Sequence, residues 1–195
     1  MTKIVEYTNA KIDFKEVANK IHNDEELKVL KLCDVALDGG EDELFLFSRA
    51  IRAHPSLEEL DFTNVESTGS FSIDQAICMA LVTVPGLKKI RLDNVPNISH
   101  STLETLGYAT ALKELYLLND GFTDEDSATI ALVVAQNHSI EHVDLTGNKM
   151  TDGGCAAFSK AIDKNLSIKV LKLDSTGEHT NKIQCKLEGR SAKAA

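Results

Sequence analysis

Apolar residues recur at a regular spacing along almost the whole chain. The pattern LxxLxL, with other large apolar residues allowed at the Leu positions, begins at Leu27, Leu57, Leu87, Leu112, Ile140 and Ile168. A degenerate copy covers residues 2–7, and successive full copies start 25 to 30 residues apart. A period in this range is typical of architectures in which each unit packs on its neighbours.

Within each copy apolar and polar residues alternate, which indicates a short strand with one buried face. We therefore predict seven strands, at or near residues 3–7, 28–32, 58–62, 88–92, 113–117, 141–145 and 169–173.

Between the copies the pattern changes to a helical period. Small and apolar residues recur at i, i+3, i+4 and i+7, as in two successive units: Ser127, Ile130, Ala131 and Val134, then Cys155, Phe158, Ser159 and Ile162. Thr123 with Asp126, and Ser72 with Gln75, have the spacing of a helix capping box. Strands joined by helical crossovers run parallel, and one strand–helix unit cannot bury both of its faces alone. The units are therefore expected to stack.

These repeats resemble leucine-rich repeats of the ribonuclease-inhibitor-like type. The likeness covers about residues 2–176 and is closest in "NHSIEHVDLTGNKMTDGGCAAFSKAIDKN", residues 137–165. Asn148 matches the asparagine of LxxLxLxxNxL, and Asn137 and Asn165 match the residue that often ends the helix. The resemblance implies an α/β leucine-rich repeat solenoid, a right-handed superhelix with parallel strands on the concave face and helices on the convex face.

The resemblance also predicts the domain organisation. Residues 1–176 form one leucine-rich repeat domain of about seven units, the first and last incomplete. Residues 177–195 lose the pattern and form a C-terminal cap, through Ile183 and Leu187, or a partly disordered tail.

Position nine of the repeat departs from the asparagine pattern. It holds Val35, Val65 and Val95 in three units and Asp120 in a fourth. Small apolar residues fill this position in the cysteine-containing subclass of the family. Alternatively Asp34, Asn64 and Asn94, one residue earlier, take over the backbone hydrogen bonds through a shifted turn.

Charge and composition exclude several classes of function. The net charge of −9 argues against nucleic acid and anionic membranes as partners. No apolar run approaches a membrane span, and the four scattered cysteines, Cys33, Cys78, Cys155 and Cys185, suit free thiols in the cytoplasm. We expect no cofactor, no metal and no catalytic residues, because the sequence has neither zinc-ligand spacing nor a phosphate loop.

Histidines and cysteines receive structural interpretations. His22, His54 and His138 precede strands, near helix ends, where a capping role is expected. Cys78 and Cys155 lie on apolar helix faces and are predicted to be core, whereas Cys33 points outward from its strand without a neighbouring histidine base.

The outward strand positions form the predicted interaction surface. Position five holds charges of alternating sign around one tyrosine: Glu6, Lys31, Asp61, Arg91, Tyr116, Asp144 and Lys172. These charges either pair among themselves or form a mildly acidic docking surface. Tyr116 beside an exposed Leu118 has the character of an interaction hot spot. The predicted partner-binding residues are Glu59, Asp61, Lys89, Arg91, Glu114, Tyr116, Leu118, His142 and Asp144.

The function that this surface predicts is a non-enzymatic, monomeric protein-interaction module whose partner protein binds the concave sheet. Two alternatives follow from the family resemblance. A regulator resembling the Ran GTPase activator would carry more repeats and an acidic tail. An actin-capping domain resembling tropomodulin would need a long C-terminal amphipathic helix, which residues 177–195 do not clearly supply.

Overall fold

Seven parallel strands alternate with seven helices in the described part of the chain. The structure is a computed structural model that describes residues 2–68, 72–81, 84, 86–95 and 97–194. The elements are β1 (Ile4–Asp13), α1 (Phe14–His22), β2 (Val29–Asp38), α2 (Glu41–Arg52), β3 (Glu59–Ser67), α3 (Ile73–Leu81), β4 (Lys89–Asp93), α4 (His100–Leu106), β5 (Glu114–Leu118), α5 (Asp124–Gln136), β6 (His142–Asp144), α6 (Asp152–Lys164), β7 (Val170–Lys172) and α7 (Glu178–Ala194).

The strands form one sheet in chain order, β1 to β7, and every neighbouring pair is parallel. Each predicted strand is present, so the α/β solenoid with its strands on one face and its helices on the other is confirmed. The core lies between the two layers. Inward Leu, Ile and Val side chains of the strands pack there with the buried sides of the helices.

The first three strands are longer than predicted. Each passes through one residue with positive φ, Asn9, Asp34 or Asn64, and then pairs again with its neighbour. For example, Cys33 pairs with Thr63 before the turn and Val35 with Val65 after it. Aspartate and asparagine tolerate the left-handed region better than most residues, so the chain bends here without losing the ladder.

Position nine of the repeat fits the first alternative, and of the second only the shifted turn is present. Val35, Val65 and Val95 are buried and fill the core. Asn64 Nδ2 donates to Asp34 Oδ1 at 2.7 Å, and Asn94 Nδ2 donates to Asn64 Oδ1 at 2.8 Å. The residues one place earlier therefore make the turn, but their side chains bond to one another and do not replace the backbone hydrogen bonds.

Two helix starts and two helix ends lie at the predicted residues. Thr123 and Asp126 form a capping box, as do Ser72 and Gln75 through reciprocal hydrogen bonds. Asn137 and Asn165 follow the last residues of α5 and α6. The amide of Asn165 donates back to the carbonyls of Val134 and Asn137, which ties consecutive units together.

Residues 178–194 of the C-terminal segment form helix α7. Helix α7 packs against α6 and β7, with Ile183 and Leu187 buried as a cap would require. Gln184 Nε2 donates to the carbonyl of Leu171 on β7 at 3.1 Å. Arg190 Nη1 donates to the carbonyl of Asn165 at 3.0 Å, so α7 also caps the end of α6.

Candidate functional site

The strand register aligns the outward residues into three rows. The middle row, position five, runs without a gap through Glu6, Lys31, Asp61, Arg91, Tyr116, Asp144 and Lys172. Position three aligns Glu59, Lys89, Glu114 and His142, and position seven aligns Asp93 with Leu118. All nine predicted site residues therefore lie on one face of the sheet, on strands β3 to β6.

Most charges at the centre of this face are paired with a neighbour. Lys89 Nζ lies 3.1 Å from Glu59 Oε1. Arg91 bridges two carboxylates, with Asp93 at 2.5 Å and Asp61 at 3.8 Å. Because the Lys89 and Arg91 side chains keep contact with solvent, which screens the attraction, each pair contributes little stability, but together the pairs fix the position of each charge.

The pairing thins out toward the first two strands. Glu6 and Lys31 face each other in register, yet neither forms an ion pair with any residue in the described ranges. Cys33 follows on β2, where burial raises the pKa of its thiol and disfavours the thiolate. This part of the face therefore offers two charges outside the ion-pair network, and the Cys33 thiol beside them is not activated.

Tyr116 is held from three sides at the middle of the face. Its hydroxyl donates to Glu114 Oε2 at 2.9 Å, and its ring centroid lies 5.1 Å from that of His142. Lys89 Nζ stands 5.5 Å from the ring centroid, within cation–π range. Burial, and then the hydrogen bond to Glu114, raise the pKa of Tyr116 to about 12, so the phenol stays protonated. The ring thus presents a fixed, partly exposed aromatic surface.

His142 completes the cluster around the ring. Its Nε2 atom is buried and has no hydrogen-bond partner among the described residues. Burial, assisted by the Lys172 cation, lowers the pKa of His142. The imidazole is therefore neutral at physiological pH and adds an apolar stacking surface beside Tyr116.

Two predicted contact residues are less accessible than expected. Leu118 is only 8% exposed, because a leucine inside a row of strands about 4.8 Å apart is covered by its neighbours. Asp144 is 6% exposed and is satisfied by Lys172 at 2.9 Å and by Thr146. The prediction of an exposed leucine is wrong, and the accessible part of the cluster is centred on Tyr116.

The histidines and cysteines outside this cluster lie in the core, at helix ends or on the surface. His54 is buried after α2, where Nδ1 accepts from the Ser56 N–H and Nε2 lies 2.8 Å from the carbonyl of Asp24 in the preceding unit. His22 ends α1, and His138 is exposed. Cys155 is buried as predicted, but Cys78 is partly exposed, with Sγ 3.8 Å from Thr105 Oγ1.

Asp120 has a partly satisfied carboxyl group that the repeat pattern alone does not reveal. Its Oδ1 accepts from the Val95 N–H at 2.9 Å, whereas Oδ2 is buried without a partner among the described residues. The signal in the sequence was an aspartate at the repeat position where the next unit has Asn148.

Neither a metal site nor a membrane helix is present in the described ranges. Their His, Cys, Asp and Glu side chains form no group that could hold a metal ion. Among the helices that the structure describes, none has the length and apolar character that a bilayer crossing requires.

Comparison with known proteins agrees with the repeat pattern. A family described as Leucine Rich repeat matches residues 136–159, the part that contains β6 and Asn148. This match and the seven parallel strands alternating with helices agree on a leucine-rich repeat fold. No sequence among the curated proteins matches it.

Solved structures share the fold at low sequence identity. The actin-binding site 2 of leiomodin-1 is similar, with a TM-score of 0.53 and 12% identity over 93% of this leucine-rich repeat chain and 91% of the other. The C-terminal domain of Caenorhabditis elegans tropomodulin has a TM-score of 0.39 and 12% sequence identity, and the match covers 99% of this chain and 86% of the other. TLR13 in complex with ssRNA13 has a TM-score of 0.38 and 14% sequence identity, and the match covers 89% of this chain and 31% of the other. At 12% identity the likeness to leiomodin-1 shows the fold alone.

Proposed function

We propose that this leucine-rich repeat protein is a non-enzymatic interaction module that binds a partner protein through the concave sheet around Tyr116. The observation that carries the proposal is the fixed pose of the Tyr116 ring, between Lys89, Glu114 and His142, in a row otherwise filled by charges. A rigid aromatic surface loses little conformational entropy when a partner covers it.

The paired charges support this function by a second route. Because Lys89 and Arg91 are already held by carboxylates, a partner does not have to order them when it binds. Their positions then set the orientation of the partner and its association rate more than the affinity. The partner-binding set is Glu59, Asp61, Lys89, Arg91, Glu114, Tyr116, Leu118, His142 and Asp144, with Leu118 and Asp144 supporting the surface from below.

The test is a pull-down from the source cell with three matched baits. Wild type and Leu132→Ser, a change at a 48% exposed position on α5 of the opposite face, should retain the same proteins. Tyr116→Ala should lose them. Equal recovery with all three baits, or loss with Leu132→Ser alone, would place the binding surface elsewhere.

Two alternative functions are tested in separate assays with defined proteins. Helix α7 supplies the C-terminal helix that a tropomodulin-like role needs, so actin-filament elongation is measured with and without the protein. Stimulated GTP hydrolysis by Ran tests the activator-like alternative. A non-enzymatic role, a cytoplasmic location, a monomeric state and the absence of nucleic-acid and membrane binding stay predictions.

A further inference from the structure

The turn after β5 contains a buried carboxyl group that the proposed binding role does not use. Asp120 and Asn148 occupy the same repeat position in successive units. The backbone N–H of Asp120 donates to the side-chain Oδ1 of Asn148 at 3.1 Å. Asn148 therefore provides an internal standard for what this position requires.

Asn148 satisfies backbone groups in both directions. Its Oδ1 accepts from the N–H groups of Asp120 and Phe122 at 3.1 Å each. Its Nδ2 donates to the carbonyls of Leu117 and Leu145 at 2.7 and 2.8 Å. One side of the position thus needs an acceptor and the other side needs a donor.

Asp120 supplies only the acceptor when it is ionised. Oδ1 takes the Val95 N–H at 2.9 Å, in the role that Asn148 Oδ1 has one unit later. Oδ2 stands where the asparagine has its NH₂ group, and it is buried with no partner in the described residues. A buried carboxylate oxygen without a donor is costly, and a protonated one becomes a donor itself.

We propose that Asp120 keeps a proton on Oδ2 at neutral pH and uses it as the hydrogen-bond donor that asparagine provides in the next unit, which makes the turn after β5 sensitive to pH. The acceptors that the position offers, by analogy with Asn148, are the carbonyls of Leu92 and Leu117, which are register partners on β4 and β5.

The electrostatic surroundings favour the neutral acid. Burial, and to a smaller extent the carboxylate of Asp93, raise the pKa of Asp120 to about 8, against the Val95 N–H, which favours the anion. Asp93 is the charged group that acts on it from β4. The neighbours Asn119 on its own turn and Asn148 on the next are neutral.

Asp120 and the turn after β5 lie beside the proposed binding face. Asp120 follows Leu118, the last residue of β5, and Asp93 is the carboxylate that holds Arg91. Ionisation of Asp120 would place a second negative charge near Asp93 and remove the donor from the turn. The turn should therefore loosen as the pH rises through the pKa of Asp120.

The direction of the pH effect follows from proton linkage. A carboxyl that binds its proton more tightly in the folded state stabilises the fold fully below its unfolded pKa, and this contribution is lost as the pH rises through the folded pKa. The window runs from 3.8, the ordinary value, to about 8. His142, whose pKa is lowered, acts in the opposite direction, so the comparison must be made between variants and not from wild type alone.

The experiment measures urea unfolding of wild type and Asp120→Asn between pH 5 and 8. The ratio of their unfolding constants should change with pH toward the limit for one proton, about tenfold per pH unit, with Asp120→Asn the more stable protein at pH 8. Asp124→Asn is the control. Hydrogen bonds from the side chain and the backbone N–H of Thr151 lower the pKa of Asp124, against a smaller opposing effect of burial. The change in unfolding free energy caused by Asp124→Asn should therefore be the same at pH 6 and pH 8.

A direct readout in wild type keeps the test independent of folding by the variant. The ¹³Cγ shift of Asp120 should show the protonated form at pH 6 and titrate well above the range of exposed aspartates. A carboxyl that is already ionised at pH 5, or unfolding curves of wild type and Asp120→Asn that keep a constant ratio from pH 5 to 8, would overturn the proposal.

Discussion

The first three units and the later units solve the same turn in different ways. In β1 to β3 the strands run for nine or ten residues and continue their main-chain ladder beyond the left-handed residue, while buried valines such as Val35 and Val65 fill position nine. In β5 and β6 the strands are five and three residues long, and polar side chains at Asp120 and Asn148 satisfy the backbone instead.

This difference teaches that a polar side chain at position nine is used only where the ladder stops. After the short strand β4, position nine is Val95, and its N–H is satisfied by Asp120 of the next unit. When the strands pair on both sides of the bend, the backbone groups have partners, and an apolar residue can fill the core. When the strands end at the bend, the same groups would be buried without partners unless a side chain bonds to them.

The largest expected effect is that of Asn148→Ala. This change removes the side-chain partners of two backbone N–H groups and two backbone carbonyls around the turn. The free energy of unfolding should therefore fall by about 3 kcal/mol. Chemical denaturation measures the loss. Asn64→Gly in an early unit is the control, because it keeps the positive φ and removes hydrogen bonds between exposed side chains alone. Equal losses in the two variants would mean that the two turns do not differ.

A smaller loss is expected when the asparagine is moved into an early unit. Val65 is fully buried beside a continuous ladder, so Val65→Asn would bury an amide that finds no free backbone partner. We expect a loss of about 2 kcal/mol in the free energy of unfolding. Val65→Ala, which creates a cavity but no unsatisfied amide, serves for comparison. If Val65→Asn proves neutral, the backbone of the early turn is less satisfied than the ladder indicates.

The smallest effect concerns a feature that early and late units share. Glu58 bridges Lys28 and Lys88 at 2.6 and 2.8 Å, and Glu141 is placed in the same way between two lysines. These lysines lower the pKa of Glu58 from 4.5 to about 2, so its contribution is complete above pH 4.5 and is lost as the pH falls toward 2. Glu58→Gln and Glu141→Gln should each cause a small loss that high salt abolishes. A large difference between the two would extend the contrast beyond the turn.

The architecture could be predicted because buried apolar residues recur at a regular spacing along the chain. The spacing of residues such as Leu27, Leu57 and Leu87 gives the strands, and the register that brings Tyr116 between Arg91 and Asp144 follows from it. The length of β1 to β3 could not be predicted, because the residues after the bend pair through their backbones and leave little side-chain pattern.

The details of the candidate site depended on packing across units. Leu118 has an outward position in the pattern, but its burial depends on how closely neighbouring rows stand. The burial of Asp120 Oδ2 without a hydrogen-bond partner also depends on how neighbouring units pack, so the sequence did not indicate it. The helical form of residues 178–194 could not be predicted because their sequence breaks the repeat, although Ile183 and Leu187, the residues expected of a cap, are buried.

The most direct test of the binding face is the affinity of Tyr116→Ala for the partner, measured together with its unfolding free energy. The ring is on the surface of the sheet, whereas neighbouring Leu115 is fully buried in the core. We predict that Tyr116→Ala weakens binding by about 2 kcal/mol or more, chiefly through faster dissociation, with little change in stability. Leu115→Ala should instead cost about 2 to 5 kcal/mol of stability. Unchanged affinity in Tyr116→Ala, or a stability loss equal to that of Leu115→Ala, would contradict the assignment of the concave sheet as the binding face.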